Sequence, residues 1–331
     1  MSLIEVNACD KLDAIVPDEE YILYNEKLNK RNPEWSFSIV PGFFKQSAPE
    51  TDDLTYNSFD DHLGLSDGLT WPSLVAKLDE LNKSSDPSKE RYKLIFSARH
   101  GQGYHNLAVQ IFGIDEWNNH YSHLEGATTP DGIKLNWAPD PFLTEKGQNQ
   151  AKLMNATLKK EIKDFNCPLP TKLFSSPFTR SCQTLYITMD GICMNNKIED
   201  SEKPLIAPSR LTPLIKEDLR ETIGEHLCDK RSDKSTIEKR LNGWDFRFEN
   251  GFQHDDIYYK DDWREPIHEQ ALRANSFLQD VFSNDEYVND QIVYSTSHSG
   301  EMKALIIATG HRQYAVPTAG MIPMLIKAVK N

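Results

Sequence analysis

The sequence predicts an α/β protein, a three-layer α/β/α sandwich around a mostly parallel central sheet. Residues 92–97, 172–175 and 291–296 are short β-rich runs, and each leads within a few residues into a helical pattern. Strand, tight turn, helix is the unit from which parallel sheets are assembled. Arg99, His100, Arg180 and His298 all fall at or just beyond the C-terminal ends of these runs. In open α/β sheets that edge is where ligands bind.

The elements follow in order. Residues 1–90 read as an acidic, largely irregular leader. It carries a short strand or helix over 21–28, an aromatic and proline-containing stretch over 35–44, and a helix over 71–81 with Val75 and Leu78 on its apolar face. The run NKSSDPSKE at 82–90 predicts a turn or linker. With few periodic elements of its own, the leader is expected to pack on the rest rather than fold alone. Two parts result: an acidic N-terminal extension, 1–90, and a catalytic domain, 91–331.

Within the second part, Gly101 and Gly103 follow the first strand and permit close backbone approach to a bound group, and 104–113 suits a helix. Thr144 and Gly147 introduce a helix over 148–165, with Leu153 and Leu158 on its apolar side. The strand 172–175 ends at Ser176-Pro177, and a helix resumes over 179–188. Residues 264–283 carry the longest helical pattern, with Ala271, Phe277 and Val281 toward the core. The strand 291–296 runs into Ser297-His298-Ser299-Gly300 and a helix over 301–309, and the apolar 321–329 predicts a closing strand.

Composition narrows the function classes. A hydrophobic share of 38% with 15 Phe, 12 Tyr and 6 Trp supplies a large core, which excludes a mainly disordered chain. The 331 residues carry a formal net charge of -13, unevenly placed: residues 1–90 hold 18 acidic and 8 basic side chains, residues 91–331 hold 32 and 29. Such a balance argues against nucleic acid and anionic membrane as partners. A small anionic substrate remains compatible with it where cations gather locally. Five cysteines, an odd number with no Cys-x-x-Cys pair, predict reduced thiols rather than a disulfide framework or zinc knuckle. The N-terminus lacks the pattern of a secretory signal and is too acidic for a typical mitochondrial presequence, and no run approaches a membrane span. The expectation is a soluble protein of the cytoplasm, with the nucleus as a second location and a homodimer left open as its assembly.

The residues at the strand ends point to phosphate. Two guanidiniums, two imidazoles and helix N-terminal amides suit a phosphate dianion, since arginine forks bind its oxygens bidentately and helix N-termini favour negative charge. A metal site fits poorly: arginine does not ligate, and no Asp or Glu accompanies the histidines there. Asn106, on the first helix, has an amide able to reach back toward the ligand. One imidazole in line with phosphorus can act as a nucleophile while the other cations stabilise the equatorial oxygens. The leaving alkoxide then needs a proton from a carboxylic acid with a raised pKa. Glu221, in Asp218-Leu219-Arg220-Glu221-Thr222-Ile223-Gly224, is the candidate.

Five blocks, in order along residues 92–328, carry a specific resemblance. They are Arg99-His100-Gly101 with Asn106, Leu143-Thr144 with Gly147, Gln150 and Ala151, Ser175 to Thr184 around Arg180, Leu219-Arg220-Glu221 with Gly224, and Ser297-His298-Ser299-Gly300. The chain resembles the histidine phosphatase superfamily, in the branch that contains the cofactor-dependent phosphoglycerate mutases, and within it the fungal phosphomutase-like proteins and broad-range acid phosphatases. The resemblance implies a phosphoglycerate mutase-like fold with His100 as the phosphorylated nucleophile and Glu221 as proton donor. It implies that Arg99, Arg180 and His298 clamp the phosphate while Asn106 orients it or His100, without metal or cofactor. The superfamily's other large branch, with a second Arg soon after Arg-His-Gly and a His-Asp pair near the C-terminus, is not matched: Gln102 and Ser299 stand at those positions.

Phosphatase and mutase share the phosphohistidine, so these residues do not separate them. Gln102-Gly103 departs from the Glu-Ser or Gln-Ser usual after the motif in the mutases. The expected activity is therefore an acid phosphatase-like hydrolysis of small phosphate esters. A phosphoglycerate-type mutase and a catalytically weak phosphate-binding or regulatory protein are the alternatives. The aromatic segment 111–142 is expected to rim the pocket, and Lys230 and Arg231 read either as a second anion subsite or as a solvated basic pair.

Overall fold

The computed structural model describes residues 3–194 and 205–331. The leader holds α1 (Ala8–Asp13), α2 (Asp18–Arg31), β1 (Trp35–Ile39) and α3 (Trp71–Ser84). The body opens with β2 (Glu90–Arg99), α4 (Tyr104–Phe112), α5 (Ile114–Asn119) and a small hairpin of β3 (Gly126–Thr128) and β4 (Lys134–Asn136). It continues through α6 (Glu145–Phe165), β5 (Lys172–Ser175), α7 (Thr179–Thr188), β6 (Leu214–Ile215), α8 (Lys234–Arg240) and β7 (Arg247–Phe248). The last elements are α9 (Ile267–Ser283), β8 (Ile292–Ser297), α10 (Ser299–Thr309) and β9 (Met321–Lys330).

Seven of these strands form one sheet in the order β1-β9-β2-β8-β5-β6-β7. Strand β8 runs parallel to β2 and β5, and β6 is parallel to both β5 and β7; β9 is antiparallel to β2 and β1. The mostly parallel sheet is the expected one. Its central strands are apolar on both faces because helices cover both. In β2, Ile95 faces a core made with α9 and α10 (Phe277, Val281, Leu305), while Leu94, Phe96 and Ala98 face one made with α3, α6 and α7 (Trp71, Met154, Leu185). That alternation is the two-residue period of a strand, and it defines the three layers.

The leader is more regular than the sequence suggested. Trp35-Ser-Phe-Ser-Ile39 alternates apolar and polar side chains and pairs along β9, Trp35 opposite Lys330 and Ile39 opposite Ile326, as the edge of the sheet. The ambiguous stretch at 21–28 is part of α2, which lays Tyr21, Tyr24 and Leu28 on the α9–α10 core. The helix expected from 264 begins at Ile267, since Pro266 holds extended backbone (ψ 149°) as its N-cap. The one expected from 301 begins at Ser299, with His298 as its N-cap.

Register decides where the chemistry lies. Arg99 stands opposite Ser297 and Ser175 opposite Thr296, so β2, β5 and β8 end on one line. His100, Ser176 and His298 leave the sheet together at that line. The helices that follow, α4, α7 and α10, point their N-termini at the same edge. Each terminus contributes partial positive charge and unpaired N–H groups there.

Candidate active site

His100 is 1% exposed, and its ring lies 5.0 Å from that of His298. Its Nδ1 is 2.6 Å from the carbonyl oxygen of Gly101. A carbonyl can only accept, so Nδ1 carries the proton and the lone pair sits on Nε2. Arg180, the second residue of α7, donates from Nε toward that Nε2 at 3.3 Å. Burial, together with the Arg180 and Arg99 guanidiniums, holds the His100 imidazole well below the usual histidine range, which keeps it neutral.

Arg180 is fully buried and held from three directions. Its Nη1 donates to the Cys228 carbonyl at 3.1 Å, its Nη2 to Asp229 Oδ1 at 3.1 Å, and its guanidinium lies 4.5 Å above the Phe178 ring. His298 is tied through Nε2 to the hydroxyls of Ser176 at 2.7 Å and Ser181 at 3.3 Å. Its buried Nδ1 has no protein partner, and neither has the buried Nε of Arg99. A bound oxyanion would accept from Arg99 Nε, and from His298 Nδ1 in the tautomer that places the proton there, and so replace the missing hydrogen bonds.

A cavity of about 350 Å³ opens beside these groups, walled by Arg99, His105, Asn106, Glu221 and Asp229 among others. His100, Arg180 and His298 are buried next to it rather than on its wall. Glu221 accepts from the Thr222 amide at 2.8 Å. Burial and the carboxylates of Asp229 and Asp13 raise its pKa above the ordinary value. It is therefore an acid that keeps its proton longer than an exposed glutamate. Gly300, at the start of α10, packs so closely that an added Cβ would collide with Glu221 Oε1.

The structure thus brings together all six residues singled out in the sequence: Arg99, His100, Asn106, Arg180, Glu221 and His298. Several details differ from the sequence reading. Asn106 lies in the first turn of α4, where its Oδ1 accepts from the Gly103 amide at 2.9 Å. Gly101 and Gly103 do not open room for a ligand. A Cβ on Gly101 would strike the Gly147 carbonyl, and one on Gly103 would strike the His105 ring at 2.7 Å. Both glycines serve backbone and side-chain packing, which also explains Gly147 in the Leu143 block. Arg231 is neither a solvated cation nor an anion subsite: it is buried, donating to Glu217 at 3.0 Å and to four backbone carbonyls. Lys230 is exposed, with Nζ 5.2 Å from the Tyr259 ring centroid.

Other groups at the site were not legible in advance. Asp229 bridges Arg180 and Arg264, accepting from the latter's Nη1 at 3.1 Å. His105 sets its ring 5.4 Å from that of His100, tilted by 56°, with a buried, unpartnered Nδ1. From the leader, Asp10 of α1 accepts from Arg99 Nη1 at 2.6 Å, and Arg99 also donates to the Val316 carbonyl at 2.7 Å. The rim segment gives Ile114, Trp117 and Asn118 to the cavity wall. Among the described residues, no three His, Cys, Asp or Glu side chains are grouped to hold a metal ion, and no helix is long and apolar enough to cross a membrane.

No protein-family model matches the chain. Two fungal relatives do. A protein named "Probable phosphoglycerate mutase" in Arthroderma benhamiae is 32% identical over 307 residues, covering 88% of this chain and 84% of that protein. "Phosphomutase-like protein 3" of Candida albicans is 32% identical over 313 residues, covering 94% and 85%. Among solved structures, an ecdysone phosphate phosphatase from Bombix mori aligns over 70% of this chain and 88% of its own, at 16% identity and a TM-score of 0.39. The chain belongs to the histidine phosphatase superfamily, among the phosphoglycerate mutase-like proteins, a family of phosphoryl-transfer enzymes.

Proposed function

We propose that this protein is a phosphomonoester hydrolase that works through a phosphohistidine at His100, with guanidiniums rather than a metal ion as its cations. The observation that carries this reading is the 2.6 Å contact from His100 Nδ1 to the Gly101 carbonyl, which leaves the Nε2 lone pair beside Arg180. In the first step Nε2 attacks phosphorus and the ester P–O bond breaks, its electron pair passing to the leaving oxygen. Glu221 gives that oxygen its proton. Arg99, Arg180 and His298 meet the charge on the equatorial oxygens. In the second step the Glu221 carboxylate takes a proton from water as the water oxygen attacks phosphorus. The P–N bond breaks, its electron pair returns to Nε2, and inorganic phosphate leaves.

The pKa directions support an acidic optimum. His100 stays neutral well below its usual range, and Glu221 stays protonated above its own, so both hold the required form on the acid side of neutrality. Gln102 gives no support to a mutase-type acceptor contact, for its side chain is buried and bonded to Thr144 at 2.8 Å and Gln110 at 3.0 Å. The test is hydrolysis of p-nitrophenyl phosphate in chelator, with acid-quench trapping of the phosphoenzyme, for wild type and His100→Ala. Turnover and trapped phosphate should both vanish in the variant; turnover that survives sinks the covalent route. The mutase activity named for the Arthroderma relative is the competing reading. Phosphoglycerate isomerisation that depends on added 2,3-bisphosphoglycerate, exceeding hydrolysis, would establish it instead.

A further inference from the structure

We infer that Asp10 of α1 is a positioning residue for Arg99, so that the leader completes the phosphate site laid out by the body. The inference deepens the phosphatase reading and rests on it only in taking Arg99 to bind the phosphoryl group.

Arg99 ends β2 at the wall of the cavity. Its Nη1 is committed to two acceptors, Asp10 Oδ1 at 2.6 Å and the Val316 carbonyl at 2.7 Å. Nη1 is the terminal nitrogen cis to Cδ. The opposite edge of the guanidinium carries Nε and Nη2, whose N–H bonds run parallel and match two oxygens of a phosphate. That edge is open: Nε is buried without a partner, and Nη2 donates to no protein group among the described residues. In Arg180 the same edge is engaged, Nε toward His100 at 3.3 Å and Nη2 toward Asp229 at 3.1 Å. Of the two arginines, Arg99 is the one set to grip phosphate bidentately.

The carboxylate that holds Arg99 this way is itself held. Asp10 is the third residue of α1, and its Oδ2 accepts from the Asn7 amide at 3.0 Å while Asn7 Oδ1 accepts from the Asp10 amide at 3.0 Å. One oxygen thus closes the helix cap and the other fixes Arg99. The Arg99 and Asp10 side chains are 7% and 5% exposed, so solvent does little to loosen the pair. Farther along α1, Asp13 lies 3.4 Å from Lys303 of α10 and docks the helix there. A long arginine side chain free to swing must be ordered when its ligand arrives; clamped between Asp10 and Val316, its plane is set beforehand. A carboxylate that merely competed with phosphate would occupy the open edge. Asp10 occupies the nitrogen outside that edge.

Titration calorimetry of the full chain with inorganic phosphate tests this without requiring turnover. Asp10→Ala should weaken phosphate roughly 30-fold, the worth of a charge-assisted hydrogen bond lost with the orientation of Arg99. Asp10→Asn, which keeps the shape and one oxygen for Nη1, should stay within about fivefold of wild type. Lys303→Ala loosens the docking of α1 without touching the Asp10–Arg99 pair, and its phosphate affinity should match wild type. In turnover, Asp10→Ala should lower kcat/KM by the same factor for p-nitrophenyl and alkyl phosphates, because the loss lies at the phosphoryl oxygens and not at the leaving group. Unchanged or tighter phosphate binding in Asp10→Ala overturns the inference, the tighter case marking Asp10 as a competitor. A loss in Asp10→Asn or Lys303→Ala as large as that in Asp10→Ala overturns it too, since charge or helix docking would then account for the effect. Weakened phosphate binding in Asp10→Ala, with no phosphoenzyme trapped in wild type, supports the inference and overturns the phosphatase reading alone.

Discussion

Gly300→Ala tests the assignment of Glu221 as the proton donor. Gly300 is the second residue of α10 and has ordinary helical backbone, so alanine costs nothing there by itself and is the better helix former. What changes is the space in front of Glu221. An added Cβ would lie 2.6 Å from Thr222 Oγ1 and closer still to Glu221 Oε1, while ordinary contact begins at 3.4 Å. The Glu221 carboxyl must therefore retreat by about 1 Å, a displacement that costs roughly 100-fold when a reacting group depends on its position. The loss should fall on the step in which the leaving oxygen needs a proton. Steady-state rates across a series of phenyl and alkyl phosphates read this directly. We expect kcat/KM to fall about 100-fold for alkyl esters, whose alkoxides leave only with a proton, and severalfold at most for p-nitrophenyl phosphate. The slope of rate against leaving-group pKa steepens accordingly. A uniform loss across the series, or wild-type rates throughout, would refute the assignment of Glu221 as donor. A thermal melt within a few degrees of wild type shows that the fold is intact.

Two further outcomes follow from buried charges. Glu301, fully buried with Oε2 accepting from Ser297 at 2.7 Å, has its pKa raised to about 7 against an ordinary 4.5, chiefly by burial. The unfolded chain ionises this group from about pH 4.5 while the folded protein resists until about 7, so stability is lost as pH rises through that window. The penalty is on the order of 3 kcal/mol. Glu301→Gln removes it, and urea unfolding should show the variant gaining that much on wild type between pH 4 and 7.5; a pH-independent difference would contradict the sign. Asp229→Asn leaves Arg180 and Arg264 without their shared counter-charge and should cost roughly 3 kcal/mol in the same unfolding assay. It also removes a negative charge that raises the Glu221 pKa, so the basic limb of the pH–rate profile should move to lower pH. An unmoved limb would mean that Asp229 does not act on Glu221.

The half of the site to which we assign the chemistry was readable because it is local. Arg99 and His100 follow a run of buried apolar residues, Arg180 sits within the first turn after Ser176-Pro177, and His298 caps the helix after β8. Each belongs to a strand-to-helix junction whose geometry is set by neighbours a few residues away. Glu221 was found by its block and needed a different argument for its proton: only the folded chain shows it buried beside Asp229 and Asp13. The leader was the least legible part. The alternation of Trp35 to Ile39 is a strand signal, but pairing with β9, nearly 300 residues later, is what makes it an edge strand.

The sequence by itself determined the α/β class, the three strand-to-helix junctions that follow β2, β5 and β8, and the arginines and histidines that stand at them. These follow from short-range periodicity and from turn chemistry, which act over one or two helical turns. Only the tertiary structure decided what sits behind and around that group. Asp10 reaches Arg99 across 89 positions and Asp229 reaches Arg180 across 49. A carboxylate's partner is chosen by proximity after folding and leaves no mark in the chain near either residue. For the same reason a strongly acidic leader, which composition alone presents as solvating charge, turns out to wall the pocket.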